Sequence, residues 1–350
     1  MSDQSKTENA KALFELGKIS AAIAMGIFVA IIILVLIIIP TLGFPGDLAR
    51  IIRLEDRLAL ADKNTNRVLI VSNSVGVEGI DGSIVNEKIG ADYSVENHSS
   101  NGLGLISARL YIGRMIESDP QYIVWILRPE LMGRISPMNT EVASAMRYAQ
   151  FQRYNSWIDD SNIPGLGSKL KDQFAVSDTS NLISLRTIPL RHLNEQLRIR
   201  TRRGILPAKP MEISAPFQMD LMLSDAKLAR HIYDVSESLA VRTAGSNRDG
   251  IEFIEQTVKQ IQQAGITPIL VIAPTHPGAH DAFGPAEEVF AEALNAVGSR
   301  NGVAVFDLKQ TLSIEMFSDA IHPNREGARV LSELLGDQLS QAFSSQEASH

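Results

Sequence analysis

Two segments far apart in the chain carry residues that could together perform nucleophilic catalysis. Near the C-terminus, Asp319 and His322 stand in the motif Asp-x-x-His-Pro, a spacing that can place a carboxylate beside an imidazole on one short loop. Imidazole titrates near neutral pH, so it can accept a proton from a hydroxyl group and return it to a leaving group, while a carboxylate holds its tautomer. The pair therefore indicates a general base whose nucleophile lies elsewhere.

Ser74 is the candidate nucleophile. It follows an apolar run at residues 67–71 that predicts a buried strand, and the sequence after it predicts a helix. A strand-to-helix turn exposes a side chain at the carboxyl edge of a sheet, and the first N–H groups of the helix favour negative charge on an attacked carbonyl. Alternatively, Ser74 is only the N-cap of that helix, a common role for serine. The downstream pair Asp319 and His322 favours the catalytic interpretation.

At these residues the chain resembles the SGNH (GDSL-type) hydrolase superfamily of serine esterases and acyltransferases, over roughly residues 67–343. In that family a Gly-Asp-Ser block carries the nucleophile. Here Ser72-Asn73-Ser74 stands in its place, so Ser74 maps onto the nucleophile and Asn73 replaces the usual aspartate. The family's Asp-x-x-His block maps onto Asp319 and His322 without departure. The resemblance thus implies a Ser-His-Asp triad.

Two other family blocks normally add oxyanion donors. Asn101-Gly102 looks like the glycine block, which makes the backbone N–H of Gly102 the implied partner of the Ser74 N–H. The asparagine block is missing, because Arg128 begins the segment that follows the predicted strand 122–127, where Gly-x-Asn would be expected. The resemblance implies that membrane-anchored members working with acyl-transfer machinery in envelope synthesis also depart here.

Alternating strand and helix patterns predict an α/β fold. After the strand at 67–71, strand-like runs occur at 93–97, 122–127, 267–273 and 303–307, and helical periodicity separates them, as at 105–117 and 251–264. This order predicts an α/β domain with a parallel sheet, whose site forms at the carboxyl ends of the strands. Five segments should meet there, carrying Ser74, Gly102, Arg128, His276 and Asp319. The candidate oxyanion and substrate-binding residues are Gly102, Asn73, Asn101, Arg128 and His276. The resemblance implies the three-layer α/β/α arrangement of SGNH or flavodoxin-like domains.

The N-terminal part predicts a membrane anchor. Residues 19–39 are almost wholly apolar, and about 21 helical residues at 1.5 Å each span the roughly 30 Å hydrocarbon core. The run is longer than a signal-peptide core and lacks a clean cleavage site after it, which favours an uncleaved signal anchor. Basic residues flank both ends, so charge leaves the orientation undecided. The short N-terminal tail and the implied envelope chemistry favour an extracytoplasmic catalytic domain.

The expected organisation has five parts. A tail (1–18) precedes the transmembrane helix (19–39), a linker with a juxtamembrane helix (40–66), the SGNH-like domain (67–343) and a polar tail (344–350). Within the domain, residues 132–248 form an insertion in which glycine and proline interrupt the pattern, and only 221–241 predicts a sustained helix.

Composition excludes several classes. The chain has no cysteine, which rules out disulfides and cysteine-ligated metal sites, and its formal charge of −7 argues against nucleic-acid binding. His276 and His280 could suggest a metal pair, but Pro277 and Gly278 break the helix that would place both on one face, so no metal or cofactor is expected. His276 could line the substrate pocket or only bond to loop backbone.

Other polar and aromatic residues carry lesser hypotheses. The arginines within 198–203 alternate with other residues, which predicts a basic edge that is either solvated or bound to anionic lipid headgroups or an acidic polysaccharide. Trp125 and Trp157 are expected to be packing residues.

The sequence therefore favours a single-pass membrane protein that performs ester hydrolysis or O-acyl transfer on acyl esters of an envelope glycan or a related substrate. A multi-pass membrane acyltransferase is the candidate partner. The alternative is a non-catalytic SGNH-like binding or assembly subunit of a polysaccharide-modifying complex, for which Asn73 and the missing asparagine block are the evidence. A third interpretation, a cytoplasm-facing lipase, requires only a reversed anchor.

Overall fold

The computed structural model describes residues 17–30, 50–51, 54, 58, 66–131, 135, 224–243 and 249–347 of the chain. The chain divides into two compact units, and of the first, Met1–Ala49 with Leu185–Met211, only residues 17–30 are described. These residues form a helix with exposed side chains. No helix within the described ranges is long and apolar enough to cross a membrane, and residues 31–39 of the predicted anchor lie outside those ranges.

A five-stranded parallel sheet forms the centre of the second unit. Its strands are β1 (Asn66–Val71), β2 (Tyr93–Asn97), β3 (Tyr122–Leu127), β4 (Thr267–Ile272) and β5 (Ala304–Asp307). They lie in the order β2-β1-β3-β4-β5, and each neighbouring pair is parallel. Every residue of β3 is buried, as expected for a strand covered on both faces. The predicted α/β class with a parallel sheet is confirmed.

Seven helices of the described ranges surround this sheet. They are α1 (Ser74–Gly79), α2 (Gly82–Ile89), α3 (Leu105–Glu117), α4 (Asp225–Thr243), α5 (Asp249–Gln263), α6 (His280–Asn301) and α7 (Arg325–Glu347). Short 3-10 turns occupy Pro129–Leu131, Pro277–Ala279 and Ile314–Met316.

Most predicted bounds match, and the differences have local causes. Strands β2 and β3 and helix α3 have the predicted ends. Strand β4 ends one residue earlier than predicted, although the N–H of Ala273 still donates to Leu127 O at 2.9 Å before the chain turns away. Strand β5 starts one residue later than predicted, because the N–H of Val303 donates to Gly298 O at 2.9 Å and so closes the end of α6.

One face of the sheet packs against α2 and α7. Alternate side chains of β1 and β3 point to this face and share a core with one stripe of α7, whose members recur at the i, i+4 spacing of an amphipathic helix: Val68, Ile70, Val124, Ile126, Leu331, Leu335 and Leu339. The other strand residues face α3, α5 and α6. Because α7 begins at Arg325, its packing also fixes the loop that carries Asp319 and His322.

A segment before β1 is also buried within this unit. The four described residues of the predicted juxtamembrane helix, Arg50, Ile51, Leu54 and Leu58, are helical and buried. Residues 51, 54 and 58 follow the spacing of one helix face, so this face is turned into the unit that contains the sheet.

Candidate active site

Ser74, His322 and Asp319 form one chain of hydrogen bonds. Nε2 of His322 lies 2.8 Å from Oγ of Ser74, and Nδ1 lies 2.8 Å from Oδ2 of Asp319. The carboxylate can only accept, so Nδ1 carries the proton and Nε2 presents its lone pair to the serine hydroxyl. This is the geometry in which a base can take the proton of a nucleophile, and the side chains of His322 and Asp319 remain 14% exposed.

The turn between β1 and α1 frees the Ser74 hydroxyl for this contact. Asn73 has extended backbone angles and is the N-cap of α1, and its Oδ1 accepts a hydrogen bond from the N–H of Val75 at 3.1 Å. Ser74 is the first helical residue. The alternative that Ser74 is only a helix N-cap is therefore wrong, because Asn73 occupies that position. The same contact engages Asn73, which the sequence analysis grouped with the substrate-binding residues.

Asp319 is held as a carboxylate by its loop. Its Oδ1 accepts hydrogen bonds from the N–H groups of Ile321 and His322, both at 2.8 Å. Burial alone would raise the pKa of Asp319, but the hydrogen bond and charge of His322 and these two N–H groups outweigh burial and lower the pKa to about 2. Asp319 is consequently ionised at neutral pH and able to orient the imidazole.

A histidine of α4 supports the same loop. Nδ1 of His231 accepts a hydrogen bond from the N–H of Ala320 at 3.4 Å and lies 3.8 Å from Oδ2 of Asp319. Next to it, Ile232 and Val235 pack with Phe283 and its neighbours. The sequence analysis missed His231, because α4 lies in the insertion and its residues carry no motif. The insertion thus supplies a direct contact to the Asp319 loop.

Glu78 is a second residue that the sequence analysis missed. It stands four residues after Ser74 on α1, is only 6% exposed, and its Oε2 has no hydrogen-bond partner in the described part of the chain. Burial raises the pKa of Glu78 to about 7; the charge of His322 partly offsets this and that of Asp319 adds to it. A glutamate within the otherwise apolar and glycine-rich α1 is the sequence signal that could have revealed it.

We expect this buried carboxyl to make stability fall as pH rises. Between pH 4.5 and about 7 the unfolded chain ionises Glu78 while the folded protein keeps it protonated, so unfolding is favoured by up to about 3 kcal/mol. The free energy of unfolding of Glu78→Gln, measured in urea, should therefore rise relative to that of the parent as the pH is raised from 5 to 8. Glu292→Gln, on the surface of α6, is the control. The expectation would be contradicted if Glu78→Gln changed the free energy of unfolding by the same amount at pH 5 and at pH 8.

Two backbone N–H groups remain available near the serine. Within the described ranges, no hydrogen bond uses the N–H of Ser74 or that of Gly102. Gly102 is exposed and has φ +70°, in a turn closed by the N–H of Leu103 donating to Ser100 O at 3.3 Å. The N–H of Ser100 donates to Ser72 O at 3.1 Å, which holds this turn beside the start of α1. Asn101 is exposed.

Arg128 and His276 follow β3 and β4 at the same sheet edge, but both are buried. Nε of Arg128 lies 3.1 Å from Oε1 of Glu130, so an internal ion pair stands where the resemblance would place an asparagine donor. Nδ1 of His276 accepts a hydrogen bond from the N–H of Gly278 at 2.9 Å, and the backbone N–H of His276 donates to Ala320 O at 3.3 Å. These contacts match the loop-supporting alternative for His276.

The remaining sequence hypotheses have different outcomes. Trp125 is buried in β3, as expected for a packing residue. His280 pairs with Glu287, at 3.0 Å between Nδ1 and Oε2. Trp157 and the arginines within 198–203 lie outside the described residues.

Comparisons with known proteins give distant structural neighbours. No protein-family model matches the chain, and no curated protein matches it in sequence. A protein named as an acylhydrolase from Bacteroides fragilis aligns with a TM-score of 0.40 and 14% identity, covering 83% of this chain and 95% of its own. A protein named as a lipolytic protein of the G-D-S-L family from Desulfitobacterium hafniense gives 0.35 and 10%, covering 79% and 99%.

A third neighbour is Est24, a carbohydrate acetylesterase from Sinorhizobium meliloti. It aligns with a TM-score of 0.34 and 10% identity, covering 80% of this chain and 100% of its own. These scores and identities are low, so the chemistry of this chain has to be inferred from its own residues.

Proposed function

We propose that this chain is a serine-dependent esterase or O-acyltransferase of the SGNH type, acting through Ser74, His322 and Asp319. The observation that carries the proposal is the pair of 2.8 Å contacts that join Ser74 Oγ to His322 Nε2 and His322 Nδ1 to Asp319 Oδ2. The three residues come from the start of α1 and from the distant loop at 319–322, and a hydroxyl, an imidazole and a partly buried carboxylate meet in the order that acyl transfer requires.

The reaction follows from these contacts. Oγ of Ser74 attacks the acyl carbonyl carbon while Nε2 of His322 takes the hydroxyl proton, and Asp319 stabilises the resulting imidazolium. The N–H groups of Ser74 and Gly102 donate to the oxyanion of the tetrahedral intermediate. As the C–O bond to the alcohol breaks, His322 returns the proton to the leaving oxygen. Water or an acceptor hydroxyl then attacks the acyl-serine by the reverse sequence, and no cofactor takes part.

The proposed setting is the outer side of a membrane. Residues 19–39 would anchor the chain, and the substrates would be acyl esters of an envelope glycan, supplied or consumed with a multi-pass membrane acyltransferase. The apolar length of this segment supports anchoring, and the family resemblance motivates the glycan. Cleavage of the C-terminus by protease added to intact cells supports this orientation, whereas a protected C-terminus favours the cytoplasm-facing lipase.

Covalent labelling tests the proposed function directly. A fluorophosphonate probe forms a P–O bond to an activated serine Oγ and releases fluoride, so we expect one labelled residue, Ser74, in a peptide map of the folded protein. Protein unfolded in urea is the control and should remain unlabelled, because unfolding separates Ser74 from His322. Folded protein that neither reacts nor hydrolyses short-acyl esters would favour the non-catalytic binding subunit.

A further inference from the structure

The buried segment before β1 reaches the loop that carries Gly102. Arg50 is only 3% exposed and precedes Ile51, Leu54 and Leu58, whose side chains are buried. Its Nε donates to the backbone carbonyl of Ser99, and its Nη2 donates to that of Asn97 at 3.5 Å. A buried guanidinium is costly unless it is hydrogen-bonded, and these two carbonyls help to satisfy that of Arg50.

These carbonyls belong to Asn97, two residues before the loop at 99–104, and to Ser99, the first residue of that loop, which we call the glycine loop. Its other attachment is to the nucleophile helix α1 through the buried side chain of Asn97. Nδ2 of Asn97 donates to Gly76 O at 2.8 Å and to Ile80 O at 2.9 Å, while Oδ1 accepts from the N–H of Ser99 at 3.0 Å. Asn97 thus joins α1 to the first residue of the glycine loop, and Arg50 binds the carbonyls on either side of this junction.

There is little room for the glycine loop to move towards α1. A Cβ atom added at Gly76 would lie 2.2 Å from Oγ of Ser99 and 2.5 Å from Cβ of Ser72. The loop therefore touches the backbone of α1 two residues after Ser74. The distance from the Ser74 N–H to the Gly102 N–H depends on this contact being maintained, because the two groups belong to different segments.

We propose that Arg50 is a positioning residue for the glycine loop, so that the buried placement of Arg50, Ile51, Leu54 and Leu58 sets the efficiency of acyl transfer. This inference rests on the proposed function, in which the Gly102 N–H stabilises the oxyanion. Arg50 does not touch the reacting atoms. It fixes the carbonyls of Asn97 and Ser99 and, through them, the loop, and misplacement of a catalytic group by about 1 Å can cost about 100-fold in rate.

The test compares two substitutions of Arg50 with one elsewhere in the same segment. Arg50→Ala should lower kcat on a short-acyl ester by about 10- to 100-fold with KM little changed, because an oxyanion donor acts in the transition state. Arg50→Lys should recover only part of this loss, since an ammonium does not match the planar fork of a guanidinium. Leu58→Ala also removes buried contacts but leaves the glycine loop bonded, so it should lower stability and keep kcat.

Chemical rescue separates positioning from simple destabilisation. Free guanidinium, far below the concentrations that unfold proteins, should raise kcat of Arg50→Ala and leave Leu58→Ala unchanged. A folded Arg50→Ala or Arg50→Lys variant that keeps the parental kcat would overturn the inference. The inference would also be overturned if free guanidinium did not restore the kcat of Arg50→Ala and Leu58→Ala lowered kcat by the same factor. If Arg50→Ala does not fold, the kcat of Arg50→Lys decides. A parental protein without esterase activity or labelling would instead remove the proposed function, and this inference with it.

Discussion

Replacing Ser74 with alanine is expected to lower kcat for a short-acyl ester by a factor of about 10³ to 10⁶. The reason is that no other hydroxyl in the described structure is hydrogen-bonded to Nε2 of His322. The oxyanion donors and Asp319 stay in place, so a small residual rate over water should survive. Folding should be nearly unaffected, since the Ser74 side chain is only partly buried. Steady-state hydrolysis together with thermal unfolding measures both effects.

Ser83→Ala provides the matched control for Ser74→Ala. Ser83 lies on the neighbouring helix α2, and its hydroxyl bonds to Oδ1 of Asp81, not to a histidine. Its removal should leave kcat within about twofold, as expected for a surface substitution away from the site. Turnover by Ser74→Ala close to that of the parent would mean that another group is the nucleophile, and the proposed reaction would then be wrong.

Asp319→Asn is expected to lower kcat by about 10⁴-fold while the loop keeps its shape. The amide oxygen can still accept from the N–H groups of Ile321 and His322, but the NH₂ group cannot accept a hydrogen bond from Nδ1–H of His322. The imidazole would then favour the tautomer with Nε2 protonated, which cannot take the Ser74 proton. Hydrolysis at neutral pH measures the loss.

The acid stability of Asp319→Asn gives an independent measurement. The pKa of Asp319 is lowered from 3.8 to about 2 in the folded protein, so its contribution, about 2 kcal/mol, is present above pH 4 and is lost as pH falls towards 2. Between pH 4 and pH 2 the free energy of unfolding of Asp319→Asn should therefore fall less than that of the parent. Asp307→Asn, at an exposed carboxylate that pairs with Lys309, is the control and should keep full activity. Equal kcat losses in both variants would contradict a specific role of Asp319.

The sequence predicts the sheet and the three side chains that meet in the candidate site for physical reasons. The runs 93–97 and 122–127 have strand bounds identical to those predicted, because turn residues border short stretches rich in β-branched and aromatic side chains. Ser74, Asp319 and His322 could be found because each follows directly from local context: a strand-to-helix turn, or an i, i+3 pair on one loop. Parallel pairing then places those loops on one edge.

The supporting residues could not be predicted in the same way. Arg50 and His231 bond to backbone groups of distant segments, and Glu78 lies near the charges of His322 and Asp319. Arg50 is separated from Ser99 by 49 positions. Glu78 left one sequence signal, a glutamate on a short and mostly apolar helix, but tertiary packing decides whether such a side chain turns inward. His231 and Arg50 left no comparable signal. Asn73 shows the same limit: its replacement of aspartate was visible in the sequence, whereas its use as the N-cap of α1 required coordinates.

The position of β1 between β2 and β3 has a topological consequence. The chain leaves β1 towards β2 on one side and later passes back to form β3 on the other. In open parallel sheets, connections that diverge in this way leave a crevice at the carboxyl end of the strand where they part. Ser74 stands three residues after the end of β1, the place where this strand order puts such a crevice. The order of the strands therefore fixes where a ligand crevice would form, and side chains around it could change without moving it.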